Sequence, residues 1–170
     1  AGGSDNGAHV IALNNVMYAN EKALRVEDQL REFRLLNNTF GGPGIVEFVA
    51  GGAAGDFFAA NNLVLGAKLP SPFPVRLNRV VDSSSFIDAG QGNYQLAMKS
   101  PAIDSAMSLS EVTSDAMGVS RPHGKAYDFG AYEYQAASVE LPISHTVQFG
   151  GAVAVVAPAL SFLAAKRKRR

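Results

Sequence analysis

The sequence contains no cysteine, so it can form neither a disulfide framework nor a cysteine-ligated metal site. Its three histidines, His9, His123 and His145, are isolated and lack the spacing that is typical of metal ligands. Its Gly-Gly pairs are not followed by Lys-Ser or Lys-Thr, which excludes a phosphate-binding loop of that type. These absences remove the most easily recognised cofactor and nucleotide sites.

A net charge is also lacking, since 15 basic residues balance 15 acidic ones, but the charges are unevenly distributed. The stretch 166–170 is entirely basic, so the rest of the chain is acidic. Nucleic-acid binding requires basic residues spread over a folded face, and this distribution argues against it. An apolar fraction of 47% over 170 residues is typical of a folded domain with a real core.

A doubled asparagine between apolar residues occurs three times, as Asn14-Asn15, Asn37-Asn38 and Asn61-Asn62. A repeat period in the low twenties is typical of a solenoid. Each pair follows a short apolar run, at 10–13, 33–36 and 57–60, and a second run lies at 23–26, 45–49 and 75–80. Short β-branched or aromatic runs bounded by Gly, Asn and Pro predict strands. Two or three strands per repeat match a turn of a parallel β-helix.

Residues 24–36 leave a second interpretation open, because the run 27–32 is compatible with an amphipathic helix. The repeat register continues through this segment, and it favours strand, turn and strand. For the paired asparagines we predict two roles. One takes a left-handed backbone conformation at a bend. The other points inward and bonds to its counterpart in the next turn, because a buried amide needs such partners.

A closing module is predicted after the repeats, because the last turn of a solenoid has an apolar face that must be covered. It contains the run SPAIDS at 100–105, then Asp115-x-x-Gly118-x-x-Arg121-Pro122, and then DFGAYE at 128–133. This pattern resembles the C-terminal module of the choice-of-anchor Q proteins, which are bacterial right-handed β-helix proteins with a pectate-lyase-like fold. The resemblance covers residues 93–134.

The resemblance implies a right-handed parallel β-helix on an exported protein, in a superfamily whose members often bind or cleave polysaccharides. From the residue types, we interpret the charged and turn-forming residues of the module as a structural network. The alternatives are a calcium site made by the aspartates or a sugar-binding face. The residues in question are Pro101, Asp104, Asp115, Gly118, Arg121, Pro122, Asp128, Gly130 and Glu133.

Catalysis by a pectate-lyase-like enzyme needs a basic residue and carboxylates on one sheet face. Candidates by residue type are Arg25, Arg34, Arg76, Arg79, Glu27, Asp28, Glu47 and Asp56. No catalytic motif of the family matches them, so we interpret them as solvated side chains of the turns and assign no catalytic residue. The tyrosines Tyr94, Tyr127, Tyr132 and Tyr134 can stack on sugar rings, but aromatic residues in such a module more often belong to the core.

The end of the chain predicts a membrane or sorting segment. Residues 149–165 are uncharged and largely apolar, and the basic block 166–170 follows them. A helix of this length nearly spans a bilayer core, and the positive-inside rule places the basic end in the cytoplasm. The order linker, apolar helix and basic end resembles bacterial C-terminal sorting signals, which a sorting protease removes. The alternative is a buried core helix.

These observations predict an all-β protein with the turns of a right-handed parallel β-helix in 1–92 and an irregular end cap in 93–134. A linker in 135–148, an apolar helix in 149–165 and a basic tail in 166–170 complete it. The first residues contain no initiator methionine and no signal segment, so we expect the C-terminal part of a longer, exported and surface-anchored protein. We expect it to contact polysaccharide or another surface ligand, without a cofactor. The alternative is the C-terminal part of a polysaccharide lyase or glycoside hydrolase with its active site mainly upstream.

Overall fold

The computed structural model describes residues 8–18, 23–26, 30–42, 46–48, 54–66, 69, 73–136, 148–149 and 152–153. Over these ranges the protein consists mainly of short β-strands, and the helices are single 3-10 turns. The chain divides into two compact units, residues 1–136 and 137–170, which are described separately.

Three parallel sheets make up the repeated part of the first unit. Its strands are β1 (Ala8–Leu13), β2 (Val16–Met17), β3 (Leu24–Val26), β4 (Leu30–Leu36), β5 (Thr39–Phe40), β6 (Val46–Phe48), β7 (Ala54–Ala60), β8 (Leu63–Leu65) and β9 (Arg79–Val81). The first sheet has the order β1-β4-β7, the second β2-β5-β8-β9, and the third pairs β3 with β6. The all-β prediction with sheets of parallel strands is confirmed.

Neighbouring strands align residues that are one repeat apart. Leu13 lies beside Leu36, and Leu36 lies beside Ala60. Parallel strands require a long connection between them, and the connection from β1 to β4 contains β2 and β3, which belong to the other two sheets. Each of the first two turns therefore supplies one strand to every sheet. Residues 24–26 and 30–36 form β3 and β4, so the strand interpretation is confirmed for them and the helical one is wrong there, while 27–29 lie outside the described residues.

The first asparagine of each pair bends the chain from the first sheet into the second. Asn14, Asn37 and Asn61 have φ angles of 54°, 51° and 58°. This left-handed region is strained for most side chains, whereas the short amide of asparagine tolerates it. The repeated bend therefore follows from the residue type at one position per repeat.

The second asparagine of each pair forms a hydrogen-bonded ladder through the stack. Nδ2 of Asn15 lies 3.0 Å from Oδ1 of Asn38, and Nδ2 of Asn38 lies 3.0 Å from Oδ1 of Asn62. These two oxygens also accept from the backbone N–H groups of Asn15 and Asn38. The second Nδ2 hydrogen of Asn38 is donated to the carbonyl of Ala12, and that of Asn62 to the carbonyl of Leu35. Both buried amides are therefore fully bonded, as burial requires.

A fourth asparagine, Asn78, ends this ladder. Its Oδ1 accepts from Nδ2 of Asn62 at 2.7 Å. Its own Nδ2 donates to the carbonyl of Ala59 and to that of Pro74, which is four residues earlier in the chain. The last amide thus bonds back to its own turn, so the ladder closes at this end.

The strand predicted over 75–80 is wrong for most of its length. Val75–Leu77 is a 3-10 helix, and β9 begins at Arg79 and pairs with β8 in the second sheet. The ladder asparagines Asn62 and Asn78 are 16 residues apart, against 24 between Asn38 and Asn62. In this shorter turn a 3-10 helix precedes Asn78, whereas a strand of the first sheet precedes each of the earlier bends.

The interior of the stack is a continuous apolar core. Alternate residues of each strand face inward, and the buried interior side chains include Phe33, Leu35, Phe40, Ala59 and Val64. Phe73, from the proline-rich loop, fills the space below them, with its ring 5.9 Å from that of Phe40 and 6.0 Å from that of Phe57. Phe73 therefore belongs to the core of the stack.

Residues 82–136 form an irregular module in which the strand pairing is antiparallel. Two strands, β10 (Phe86–Asp88) and β11 (Asn93–Leu96), make a hairpin. Turns and two isolated bridges follow, between Ala106 and Tyr127 and between Ser114 and Ser120. The predicted boundary between 92 and 93 falls inside the hairpin, whereas the change from parallel to antiparallel pairing comes after β9.

The module lies along the side of the stack and contacts more than the last turn. Phe86, Tyr94 and Phe129 pack against the outward-facing residues Leu63 and Val81 of the second sheet. The hydroxyl of Tyr94 reaches back to the second turn and donates to the carbonyl of Gly41 at 2.7 Å. The physical reason is that the outer faces of the sheets carry apolar residues, which need cover as much as the end of the stack does.

A smaller group of module residues covers part of the first sheet. Leu109, Val112 and Tyr127 pack on Leu36 and Ala60, which lie at the ends of their strands beside the asparagine bends. Of the outward-facing positions nearer the start of β1, β4 and β7, Ile11 and Asp56 are exposed, whereas Arg34 bonds to Glu111 of the module and Phe58 packs against this group. Among the described residues, the module therefore covers that sheet face only in part.

In the second unit, β12 (Gln148–Phe149) and β13 (Ala152–Val153) pair antiparallel. Residues 137–147 of the predicted linker 135–148, the rest of the predicted apolar helix 149–165 and the basic block 166–170 lie outside the described residues. At Phe149 and Ala152–Val153 the structure has strand where a helix was predicted. No helix long and apolar enough to cross a membrane occurs in the part of the chain that the structure describes.

We predict that Asn62→Ala destabilises the protein far more than Asn15→Ala. Loss of the Asn62 amide leaves the backbone N–H of Asn38 and one Nδ2 hydrogen of Asn38 without a buried partner, at a cost of about 1–3 kcal/mol for each group. Asn15 is exposed and lies at the start of the ladder, so its loss should cost about 1 kcal/mol or less. Urea unfolding of the two variants measures the difference. Equal destabilisation would contradict the ladder as a source of stability.

Candidate functional site

The charged residues of the closing motif converge on one buried cluster centred on Arg121. Its NH1 lies 2.6 Å from Oε1 of Glu133 and 3.1 Å from the carbonyl of Asp128, and its NH2 lies 2.8 Å from the carbonyl of Gly130. The side chains of Arg121 and Glu133 are 0% exposed. Burial lowers the pKa of Arg121, and the carboxylates of Glu133, Asp115 and Asp128 oppose that shift.

Backbone N–H groups occupy the carboxylates around this arginine. Glu133 accepts from the N–H of His123 at 2.6 Å and from that of Asp128 at 2.9 Å. Asp115 accepts from the N–H groups of Met117, Val119 and Glu133. Such bonds to charged acceptors are stronger than neutral ones, and they fix the loops on both sides of the motif.

Asp128 and Asp104 hold the two ends of the motif together. The carboxylate of Asp128 accepts from the N–H of Asp104 at 2.7 Å and from that of Tyr134 at 2.6 Å. Asp104 has a φ of 51° and accepts from the N–H groups of Lys125 and Ala126. Burial raises the pKa of Asp128 to about 6, although the two backbone bonds lower it. The nearby charges of Glu133 and Asp104 add to the increase.

The left-handed asparagines connect this cluster to the stack. Nδ2 of Asn14 donates to the carbonyl of Ser114 at 2.7 Å, and Oδ1 of Asn14 accepts from Arg121 at 3.2 Å. Nδ2 of Asn37 donates to the carbonyl of Asp128 at 3.1 Å. Asn61 exchanges two hydrogen bonds with the backbone of Met107. Each bend of the stack is thus bonded to a different segment of the module.

The turn residues of the motif lie at the same contact between the module and the stack. Gly130 has a φ of 91°, and a Cβ there would lie 2.6 Å from Oγ1 of Thr39, so glycine is required at this close approach. Gly118 has a φ of 83°, and the peptide bond between Arg121 and Pro122 is cis. Pro101 is an exposed turn residue. The motif residues therefore join the module to the stack, and their polar atoms are largely used in doing so.

The tyrosines and the calcium alternative can be placed against this geometry. Tyr94 and Tyr127 are buried, while Tyr132 and Tyr134 are half-buried and pack on the same cluster as Phe86 and Phe129. In the described part of the chain, no group of three or more His, Asp or Glu residues suits a metal ion. The calcium site stays an untested prediction.

A second polar region lies on the partly covered outer face of the first sheet. Its outward positions form two columns across the strands, His9–Glu32–Asp56 and Ile11–Arg34–Phe58. Nδ1 of His9 lies 3.0 Å from Oε2 of Glu32. Because side chains of one sheet face at adjacent strands are about 5 Å apart, Glu32 and Asp56 are close neighbours.

Arg34 is the centre of this open face. Its NH1 lies 2.6 Å from Oε1 of Glu111 in the module, and its Nε lies 3.9 Å from Oε1 of Glu32. The guanidinium carbon is 5.2 Å from the centre of the Phe58 ring, a distance typical of a cation–π contact. Arg34 is thus held by the Glu111 carboxylate and the Phe58 ring, with the Glu32 carboxylate nearby, while Ile11 is 52% exposed beside it. We name the set Ile11, Glu32, Arg34, Asp56, Phe58 and Glu111 the open face.

The structure separates the candidates that were grouped by residue type. Arg34 and Asp56 belong to the open face, whereas Arg25 and Glu47 form an ion pair of 3.2 Å on the third sheet. Arg76 and Arg79 lie at the closed end of the ladder. Glu27, Asp28 and His145 lie outside the described residues, and His123 is exposed in its turn, as its sequence context predicts.

Sequence reasoning missed Glu32, Phe58, Ile11 and Glu111 as members of the open face. The first three could have been found from the alternation of β1, β4 and β7, because outward positions recur at the repeat period. Glu111 carries no such signal, since its contact with Arg34 depends on how the module packs.

No protein-family model, curated protein or solved structure matches this chain.

We predict that ionisation of Asp128 makes the free energy of unfolding fall as pH rises from about 4 to about 6. The pKa of Asp128 is about 6 in the folded protein and about 4 in an unfolded chain. The folded state therefore holds this proton more tightly, and the resulting stabilisation is present at low pH and lost on deprotonation, at about 1–3 kcal/mol. Urea unfolding between these pH values measures it.

Asp128→Asn is the test variant for this pH dependence. It should be less stable overall, because an amide has one acceptor oxygen for the two N–H groups of Asp104 and Tyr134. Its unfolding free energy should also change less across the interval. Asp82→Asn is the control, since Ser84 lowers the pKa of this exposed carboxyl and gives the opposite sign. Identical pH profiles for Asp128→Asn and the unaltered protein would exclude Asp128 as the source.

Proposed function

We propose that this chain is a right-handed parallel β-helix module of the choice-of-anchor Q type, exported and anchored at the cell surface, whose open face contacts polysaccharide. The helical coil is supported by the way each of the first two turns supplies strands to three parallel sheets. Right-handedness is supported by the strong preference for right-handed crossovers between parallel strands. The motif residues at 100–133 support the family.

The observation that carries the binding proposal is the contrast between two outer sheet faces. The module covers the second sheet with apolar side chains such as Phe86 and Tyr94, whereas among the described residues it covers the open face only in part, through Glu111 and the group that packs on Phe58. The open face combines an exposed isoleucine, an aromatic ring and several charged groups within a flat array of three strands. Extended sugar chains present apolar ring faces and many hydroxyl groups, and both find counterparts on such an array.

The engagement of Arg34 favours binding over catalysis at the open face. A general base must be available to abstract a proton, whereas this guanidinium is already held by Glu111 and Phe58. The second candidate function, a polysaccharide lyase or glycoside hydrolase with its active site mainly upstream, is favoured by one observation. Glu32 and Asp56 are adjacent on the same face, and paired carboxylates are the usual catalytic groups of glycoside hydrolases.

We predict that Ile11→Ser and Asp56→Asn each weaken polysaccharide binding about tenfold or more without changing the melting temperature. Both positions are exposed on the open face, so the substitutions remove contacts to a ligand and little internal packing. Affinity electrophoresis with polygalacturonate, alginate and xylan measures binding. Ile87→Ser is the matched control, because Ile87 is 58% exposed on the module. Equal losses for Ile11→Ser and Ile87→Ser would exclude the open face.

The enzyme alternative has its own measurement. A lyase would release unsaturated uronate ends from polygalacturonate or alginate, which absorb in the ultraviolet, and a glycoside hydrolase would release reducing ends. Glu32→Gln and Asp56→Asn should abolish either signal if these carboxylates act on substrate. Binding without any product over hours would favour the non-catalytic proposal.

The anchoring proposal rests on residues 149–170, which are apolar and then basic. We predict that the full chain fractionates with membranes when it is produced in a bacterial cell and that deletion of 149–170 releases it. The apolar run supplies the affinity for the bilayer, and the basic block supplies orientation. Replacement of the five basic residues by glutamine separates these contributions. Unchanged fractionation after the deletion would overturn the anchor.

A further inference from the structure

A depression at the closed end of the ladder has no role in the proposed polysaccharide contact. Its described lining comes from Leu69, from the segment 75–80 and from Phe129 of the module. Its volume is about 520 Å³, and a neighbouring depression of about 240 Å³ shares Arg76 and Phe129 with it. Volumes in this range are typical of sites for small ligands.

The lining of this end depression is mostly apolar. Leu69, Val75, Val80 and Phe129 form its walls, and Val75 is 78% exposed. Asn78 also lines it, but both Nδ2 hydrogens of Asn78 are donated to carbonyls, and its Oδ1 already accepts twice. The amide is therefore committed to the ladder and is not available to a ligand.

Two arginines provide the polar part of the end depression. Among the described residues, neither Arg76 nor Arg79 has a carboxylate partner, whereas Arg25, Arg34 and Arg121 all do. Arg79 donates to the carbonyl of Pro101, and its guanidinium carbon is 4.7 Å from the centre of the Phe129 ring. This contact orients the guanidinium and leaves most of its N–H groups unused.

The charged residues of the lining favour a negatively charged ligand. The described lining residues include these two arginines and no acidic residue. The chain without its last five residues carries more acidic than basic residues, so two arginines that have no carboxylate partner among the described residues are a local exception beside this apolar depression. A carboxylate pairs well with guanidinium groups, and the pairing is stronger where water is partly excluded.

We propose that the end depression binds a carboxylate carried on an apolar body, with the carboxylate at Arg76 and Arg79 and the apolar part against Val75, Val80 and Leu69. A neutral sugar fits less well, because sugars need many hydrogen-bonding groups and one face of the Phe129 ring is occupied by Arg79. The carboxylate has two natural sources, a small organic acid or the C-terminus of a peptide with an apolar last residue. This site is distinct from the open face and does not depend on it.

Titration of the full chain with three small probes tests the proposal. Hexanoate carries both features, hexanamide lacks the charge, and acetate lacks the apolar body. Methyl resonances of Val75, Val80 and Leu69 report binding at the site. We expect hexanoate to bind at least tenfold more tightly than either of the other probes. Equal affinity for hexanamide or for acetate would overturn the proposal, and so would shifts confined to other methyl groups.

Substitutions at Arg76 complete the test. Arg76→Gln should weaken hexanoate binding about tenfold and leave hexanamide unchanged, while Arg76→Lys should retain binding within about threefold. Arg25→Gln, on the third sheet, is the matched control and should have no effect. Loss of hexanoate binding in the control as well would overturn the assignment. Tighter binding of N-acetyl-Val-Leu than of hexanoate would identify a peptide C-terminus, and weaker binding than hexanoate would identify a small organic acid.

Discussion

The buried side-chain amides of Asn38 and Asn62 are the interaction on which the stack depends. The oxygen of each amide accepts from the asparagine of the turn before it, and its nitrogen donates to the asparagine of the turn after it. An amide that is buried without partners is costly, so the turns are stable only in the register that completes these bonds. Apolar packing of Phe33, Phe40 and Val64 supplies the driving force, but it tolerates sliding that the amides do not. Specificity of register and burial of apolar area therefore come from different residues.

The first asparagine of each pair, Asn14, Asn37 and Asn61, connects the stack to the module by hydrogen bonds. Their left-handed backbones create the bends, and their side chains then project toward residues 107–130, where the backbone offers donors and acceptors. Arg121 stands at the same junction and bridges Asn14 to Glu133. A buried arginine is favourable only when its charge is compensated, and here Glu133 and two backbone carbonyls provide that compensation. The module is thus held by polar bonds at the bends and by apolar contacts on the sheets.

The repeat positions made the strands, the bends and the ladder predictable, because one residue type at a fixed period carries all of that information. Asn78 was not predictable in this way, since it stands alone and comes 16 residues after Asn62. The placement of the module could not be predicted from the sequence either, because the outward-facing Leu36 and Leu63 give no indication of which segment covers them. For the open face, the alternation of β4 could have pointed to Glu32, whereas Glu111 joins Arg34 only through packing between distant segments. Local rules describe each turn, and long-range packing decides which faces remain open.

The three-point attachment of the module has a consequence for how such a protein can change length. Asn14, Asn37 and Asn61 bond to residues around 114, 128 and 107, respectively, so the module spans three successive bends at fixed spacing. An extra turn inserted between Asn14 and Asn61 would separate partners by one strand spacing, about 4.8 Å, and break this match. Duplication of a turn would be tolerated only outside the spanned segment. The attachment of the module at three bends therefore fixes the number of turns between Asn14 and Asn61.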